Sequence, residues 1–306
     1  MLASCAFAFS GPLARSAMDA GLSPQQVASA RICLAAVLLL VGALLVRPST
    51  LKLRRRDVPL LLAYGVFGVA VVQLLYFVAV SRLPVGVAML LEYTSPVLVT
   101  LWVRFVRHTV LPRAAWYGVV LAMVGLIMVA QVWQGASLNV VGVVAALAAA
   151  ACSAAYYLLG ERGVSATDPI GLGTWGLVVG SVVILGVSRP WEIPGRLLAA
   201  PARFGALHAP VWALLVGMAV VATVLAYVAS LAALRHLPPS VVSVVALLEP
   251  VVAIVLAWAL LGQELSVTQI VGGVVLLSGA MLVRLAGQPK AAVVPVEAGT
   301  PELTPG

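Results

Sequence analysis

Along the 306 residues, continuous apolar runs of roughly 18 to 25 residues follow one another with short polar breaks. That length crosses about 30 Å of hydrocarbon at about 1.5 Å per residue. Strands of a membrane barrel would instead alternate apolar and polar over about 10 residues, so the pattern predicts helices. Ten are expected, at 2–19, 25–46, 60–81, 85–106, 114–133, 140–160, 170–188, 210–234, 239–261 and 266–286. Gly11, Pro12 and Arg15 interrupt the first run, which reads either as a broken helix or as a span that begins upstream of Met1. A cleaved signal peptide does not fit, because no basic residue precedes the apolar segment and the next span follows at once.

Composition strengthens this reading. The chain is 63% hydrophobic and 9% charged, with a mean hydropathy of +1.13, too apolar to coat a soluble domain. The fold class expected is an all-α integral membrane protein. Basic residues then give an orientation, since they concentrate in cytoplasmic loops. With the N-terminus inside, the inner loops and tail hold Arg47, Lys52, Arg54, Arg55, Arg56, Arg107, Arg113, Arg162, Arg235, Arg284 and Lys290, against Arg82, Arg189, Arg196 and Arg203 outside. Both termini are therefore expected in the cytoplasm of a bacterial cell, with the chain multi-pass in the cytoplasmic membrane. The net charge of +8 is mostly this topology signal, and the LKLRRRDVP stretch (51–59) reads as a juxtamembrane loop rather than a nucleic-acid site. Cys5, Cys33 and Cys152 fall within spans without metal-like spacing and are expected as free, buried thiols. The Pro- and Gly-rich segment 287–306 reads as a disordered cytoplasmic tail.

An internal repeat organises the rest. Shifted by 154 residues, SRLPVGVAMLLEYTSPVLVTLWVRF (81–105) lies over RHLPPSVVSVVALLEPVVAIVLAWA (235–259) without a gap, and Gly118 and Gly125 fall on Gly272 and Gly279. Each copy holds five spans, in 1–133 and 140–286, and an odd number forces the second copy to enter the membrane the other way up. Two five-helix repeats of inverted topology are typical of secondary transporters. Pro84 and Pro238 sit near helix starts, where a missing N–H costs little. Pro96 and Pro250 sit mid-span and are expected to kink their helices toward protein or a watery cavity.

Two carboxylates accompany these prolines. Glu92 and Glu249 lie three positions apart in the repeat frame, about 60° around a helix axis, and both approach the membrane midplane. An ionisable group at that depth costs about 2.5–3.5 kcal/mol on insertion scales and marks a functional site by default. Arg31, and beside it Arg15, lie at the depth of Glu92 and are its candidate partners; a purely structural salt bridge is the alternative. Glu249 has no cation at obvious depth and suits a proton- or amine-binding role. Gln73 and Tyr227 coincide under the shift, as a polar pair on the third and eighth spans would if both line one cavity. Tyr93 and Trp175 are further candidates among the aromatics Tyr76, Trp102, Tyr156, Tyr157 and Trp258. The small-residue run GTWGLVVG (173–180), with Gly176 and Gly180, reads as a site of close helix contact.

The tandem halves, FSGPLARSAMDAGLSP (9–24) followed by Arg31, LLEYTSPVLV (90–99) and LLEPVVAIVLAWALLGQELSVTQIVGG (247–273), resemble the EamA-type transporters of the drug/metabolite transporter superfamily. The resemblance spans residues 1 to about 286. It implies ten helices around a central substrate cavity, alternating access, and export of amino acids, related metabolites or toxic compounds. One stretch departs from the family pattern: Gln263 stands where a glycine usually precedes a glutamate after the ninth span, so no role is carried over to Glu264. Multidrug efflux is the second reading. A membrane enzyme is disfavoured, since His108, His208 and His236 are scattered over three loops and no nucleotide, metal or nucleophile motif is present. No cofactor is expected, and coupling to protons is open. The expected partners are a small-molecule substrate and membrane lipid, with no nucleic acid; a homodimer is open.

Overall fold

The computed structural model describes residues 1–83, 85–131, 139–188, 190–204, 207–261 and 266–286. Pro84, Arg189, Gln263, Glu264 and the 287–306 tail lie outside the described residues. The first apolar run holds α1 (Leu2–Ala8) and α2 (Ser10–Asp19), and the second α3 (Pro24–Val46). The third is α4 (Val58–Gly65), a π-helical stretch (Val66–Val71) and α5 (Val72–Val80). Then come α6 (Val85–Glu92), α7 (Ser95–Phe105), α8 (Arg113–Ala130), α9 (Val140–Ala166) and α10 (Pro169–Leu185). The short α11 (Gly195–Leu198) and a hairpin of β1 (Pro201–Phe204) and β2 (Leu207–Pro210) precede α12 (Val211–Ala219), a second π-helical stretch (Val220–Leu225) and α13 (Ala226–Leu234). The chain ends in α14 (Pro239–Ala246), α15 (Leu248–Leu261) and α16 (Val267–Ala286).

Among the described residues, five helical stretches are long and apolar enough to cross a membrane: Pro24–Val46, Arg55–Val80, Val87–Phe105, Val140–Ala166 and Val211–Leu234. Shorter apolar helices accompany them at Arg113–Val129, Pro169–Leu185, Pro239–Ala253 and Val267–Val283. The chain is a mostly helical, multi-pass membrane protein. Local chemistry sets the helix starts. Ser23 and Gln26 form a capping box ahead of α3, with Pro24 in its first turn. The Asn139 and Asp168 side chains accept the Gly142 and Ile170 N–H groups at the heads of α9 and α10.

Three expectations are corrected. The fold is not wholly α: residues 201–210 form an antiparallel hairpin in which Pro201 faces Pro210, prolines that cannot continue a helix and tolerate a strand end. The cysteines are free, but Cys5 is exposed and Cys33 and Cys152 are half-buried, because their helices turn these positions away from the packed core. Pro96 and Pro250 do not kink continuous helices. The helix is interrupted, by a turn at Tyr93 and Thr94 before α7 and at Leu247 before α15, and each proline falls in the first turn of the new helix, where its missing N–H has no intrahelical acceptor to lose.

Element bounds recur at the offset of 154. The π-helical stretch, α5 and α6 reappear residue for residue as the second π-helical stretch, α13 and α14. α4 and α12 match to within one residue at that offset, whereas α1, α2 and α3 do not match α9 and α10. The same frame describes the contact between α8 and α16. A Cβ on Gly118 would stand 2.8 Å from the Gly279 carbonyl, and one on Gly272 would stand 2.9 Å from the Gly125 carbonyl. Gly118 with Gly279 and Gly125 with Gly272 are the same pair under exchange of halves, so the helices cross antiparallel with backbones in contact. With no hydrophobic drive between helices in lipid, such close packing is a main source of association. Gly176 and Gly180 on α10 do likewise against Tyr64 and Val69.

Gly125→Val should therefore lower the melting temperature in detergent, since overpacking a filled contact costs about 1–3 kcal/mol. Gly42, where an added Cβ meets nothing within 4 Å, is the control, and Gly42→Ala should be neutral or stabilising. Equal effects at both positions would remove the α8–α16 contact from the account.

Candidate functional site

A cavity of about 620 Å³ opens between the two halves of the chain. Its lining includes the exposed Arg15 as well as Glu92, Tyr93, Tyr156 and Glu249. The interrupted helices place the carboxylates. Glu92 is the last residue of α6, and Glu249 sits in the first turn of α15. A helix dipole disfavours negative charge at its C-terminal end and favours it at its N-terminal end, so the two carboxylates are inequivalent although the repeat frame places them close together.

Arg31 enters from α3. Its guanidinium donates to Ser10 Oγ at 2.8 Å, while its buried Nε has no hydrogen-bond partner among the described residues. Ser10 opens α2 directly after the break at Phe9, so interruption of the first span supplies the hydroxyl that holds the guanidinium. No carboxylate stands within the 4.0 Å of an ion pair with Arg31 among the described residues. Glu249, Glu92 and Tyr227 nonetheless lie within its electrostatic reach. Arg15 does not serve Glu92 either: it pairs with Asp19, one turn on, at 3.0 Å, and both side chains are more than half exposed.

Gln73, Tyr93, Tyr227 and Pro250 also line the cavity. The Tyr93 hydroxyl stands beside the Glu249 carboxylate. Gln73 is half-buried. Aromatic rings form the deep wall: Tyr227 packs edge-on to Phe7 at 5.5 Å and to Tyr156 at 5.6 Å, and Tyr156 edge-on to Tyr157 at 5.0 Å. Behind Tyr156 lies Tyr64, fully buried, its ring 5.4 Å away. Trp175 is not in the lining: it sits half-buried on α10 and donates its indole N–H to the Leu51 carbonyl at 3.2 Å. Pro96 is buried inside α7, and its neighbour Ser95 reaches the cavity instead.

Sequence reasoning missed the serines. Ser10, Ser95, Ser153 and Ser243 line the cavity, and Ser4 donates to the Val245 carbonyl at 3.1 Å, satisfying an acceptor beside the α14–α15 break. Their signal was a hydroxyl in an otherwise apolar run, which also occurs where serine merely bonds the preceding turn. Among the described residues no group of three His, Cys, Asp or Glu side chains is placed to hold a metal.

The model of the EamA-like transporter family matches residues 1–131 and again 140–285. The chain belongs to the EamA-like transporter family. Among its relatives, the threonine/homoserine exporter RhtA of Escherichia coli (strain K12) is 29% identical over 225 residues, 73% of this chain and 70% of the relative. The pseudopaline exporter CntI of Pseudomonas aeruginosa (strain UCBPP-PA14) is 32% identical over 122 residues, 39% of this chain and 43% of that one. A solved crystal structure superposes with a TM-score of 0.72 at 18% identity, covering 94% of this chain and 96% of its own, a likeness of fold alone. As an EamA-like protein, the chain is a membrane-embedded transporter, and RhtA and CntI among its relatives are named as exporters.

The charge arrangement is testable by stability. Arg31→Gln leaves two carboxylates with no cation among the cavity-lining side chains at their depth and should lower the melting temperature in detergent. The double variant Arg31→Gln/Glu92→Gln should recover part of the loss. Because the two groups stand beyond ion-pair distance, their coupling should be about 1 kcal/mol, below the roughly 3–5 kcal/mol of a broken direct buried pair. Additive losses would mean that Arg31 and Glu92 do not sense each other.

Proposed function

We propose that this EamA-like chain exports amino acids or related small metabolites from the cytoplasm by alternating access, with Glu249 as the group that binds a proton or substrate amine. The observation that carries the reading is the convergence of Arg31, Glu92 and Glu249 on one cavity. A guanidinium complements a carboxylate in planar, bidentate fashion, and a carboxylate complements an ammonium, so the set suits a zwitterion. Gln73, Tyr93 and Tyr227 would orient it. The printed activities of RhtA and CntI, exporters of threonine or homoserine and of pseudopaline, agree with this class. The tyrosine wall supports efflux of an apolar cation as a second reading, through cation–π contact.

The architecture proposed for this cycle is ten spans in two inverted repeats, 1–133 and 140–286, with both termini cytoplasmic in the bacterial plasma membrane. The antiparallel crossing of α8 and α16 supports it, as do contacts between loops assigned to the same side. On the inner side Arg107 Nη2 meets Glu161 Oε2 at 2.5 Å, and Arg235 stands 3.9 Å from Asp168. On the outer side Gly142 packs against Leu83, and Gly21 against Leu197. Arg15, Met18 and Pro24 would then mark the outer mouth, and the Arg107–Glu161 pair, which joins the two halves, would close the inner face until the halves rock.

Glu249→Gln keeps the shape of the residue and mimics its protonated form, so the variant should fold. In proteoliposomes its net export should fail or lose its dependence on pH, while exchange of pre-bound substrate survives if only the proton is lost. Wild-type net transport with unchanged pH dependence would reduce Glu249 to a packing group.

A further inference from the structure

A second cavity, of about 650 Å³, lies between α7 and α9, away from the charged site. Alanines of α9 leave room there beside Leu98, Trp102 and Phe105 of α7, with Leu158 opposite. Trp102 is 42% and Phe105 66% exposed. In hydrocarbon such a groove is filled by an acyl chain or by another apolar surface rather than by water.

Its end is not apolar. Arg107, just past α7, and Arg162 on α9 both line it. Arg107 gives one guanidinium nitrogen to Glu161, and a guanidinium has five N–H donors to offer. Arg162 is exposed and has no hydrogen-bond or ion-pair partner among the described residues. Two guanidinium groups against one carboxylate leave this end of the groove one charge positive. Both arginines lie at the end assigned to the cytoplasmic side, where anionic lipids meet basic pockets between transmembrane helices. A second copy of the chain is a poorer occupant: a parallel twofold pair joined through this groove would bring the cationic ends of both copies to the same depth.

We infer that the α7–α9 groove is a binding site for one anionic phospholipid, its phosphate on Arg107 and Arg162 and an acyl chain laid along Leu98, Trp102 and Phe105. Arginine matches phosphate oxygens bidentately, which separates this site from the undifferentiated lipid surface around it. The site is independent of what the central cavity carries.

Trp102 is the reporter. The full chain is reconstituted into phosphatidylcholine vesicles carrying increasing fractions of acyl-brominated phosphatidylglycerol or acyl-brominated phosphatidylcholine, and the Trp102 emission is taken as the difference between wild type and Trp102→Phe. Quenching by the anionic lipid should be half-complete at a mole fraction at least about fivefold lower than by the zwitterionic lipid, the preference expected from a single guanidinium. Arg162→Gln, which breaks no ion pair, should lose about fivefold of that preference, and Arg162→Lys should keep part of it. Inorganic phosphate should not reverse the quenching, since the acyl chain is part of the ligand. Equal quenching by both lipids, an unchanged preference in Arg162→Gln, reversal by phosphate, or protection of Trp102 accompanied by cross-links between copies at Phe105 would each overturn the assignment.

Discussion

Hydrocarbon gives no water to an unpaired backbone group or a bare charge, and the arrangement of this molecule follows from that constraint. Arg31 is held by Ser10 at 2.8 Å, and Glu92 and Glu249 share its field. Those three side chains need a cavity polar enough to keep them. The cavity in turn depends on broken helices, because a continuous helix through Tyr93 or Leu247 would set each carboxylate in mid-rod rather than at a helix end. The break puts Glu92 at a C-terminal helix end and Glu249 at an N-terminal one. Ser4 reaches the Val245 carbonyl, satisfying an acceptor beside the interruption.

Holding such a cavity open needs rigid packing elsewhere. The α8–α16 crossing supplies it on one side through four glycines in two equivalent pairs. Gly176 and Gly180 supply it at α10 by letting Tyr64 and Val69 approach the backbone. The π-helical stretches stand at equivalent places in the two halves, and Gly68 of the first lines the cavity. Gly68, inside the first of them, packs against Tyr156, so the wider turn and the aromatic wall are fitted to each other. Thr223 Oγ1 donates to the Met218 carbonyl, five residues back, in keeping with the wider turn of the second.

Much of this was legible in the sequence because it rests on periodicity and length. Apolar runs marked the helices, and the 154-residue offset predicted that α5 and α6 would recur as α13 and α14. Glycines at 118, 125, 272 and 279 were visible, but not that they meet crosswise. What was not legible depended on which way a helix faces or where it stops. A proline in mid-run reads the same whether it bends a helix or begins a new one, so the breaks at Tyr93–Thr94 and Leu247 were missed. Arg15 was matched to Glu92 by depth alone, which does not tell which face of its helix it occupies; it bonds Asp19, one turn on along α2. Trp175 was placed by composition alone, and its helix turns it to the Leu51 carbonyl. The hairpin at 201–210 gave only prolines as a signal.

The family places the chain among transporters, and the proposed account asks the charged cavity to carry a zwitterion. Solute counterflow tests that most directly, because it reads the site without assuming an energy source. Proteoliposomes are loaded with unlabelled threonine or homoserine and diluted into buffer with the labelled form. The account predicts a transient accumulation of label above equilibrium that is lost in Arg31→Gln. Absence of counterflow for threonine, homoserine and other neutral amino acids, in liposomes that do exchange a lipophilic cation, would contradict it.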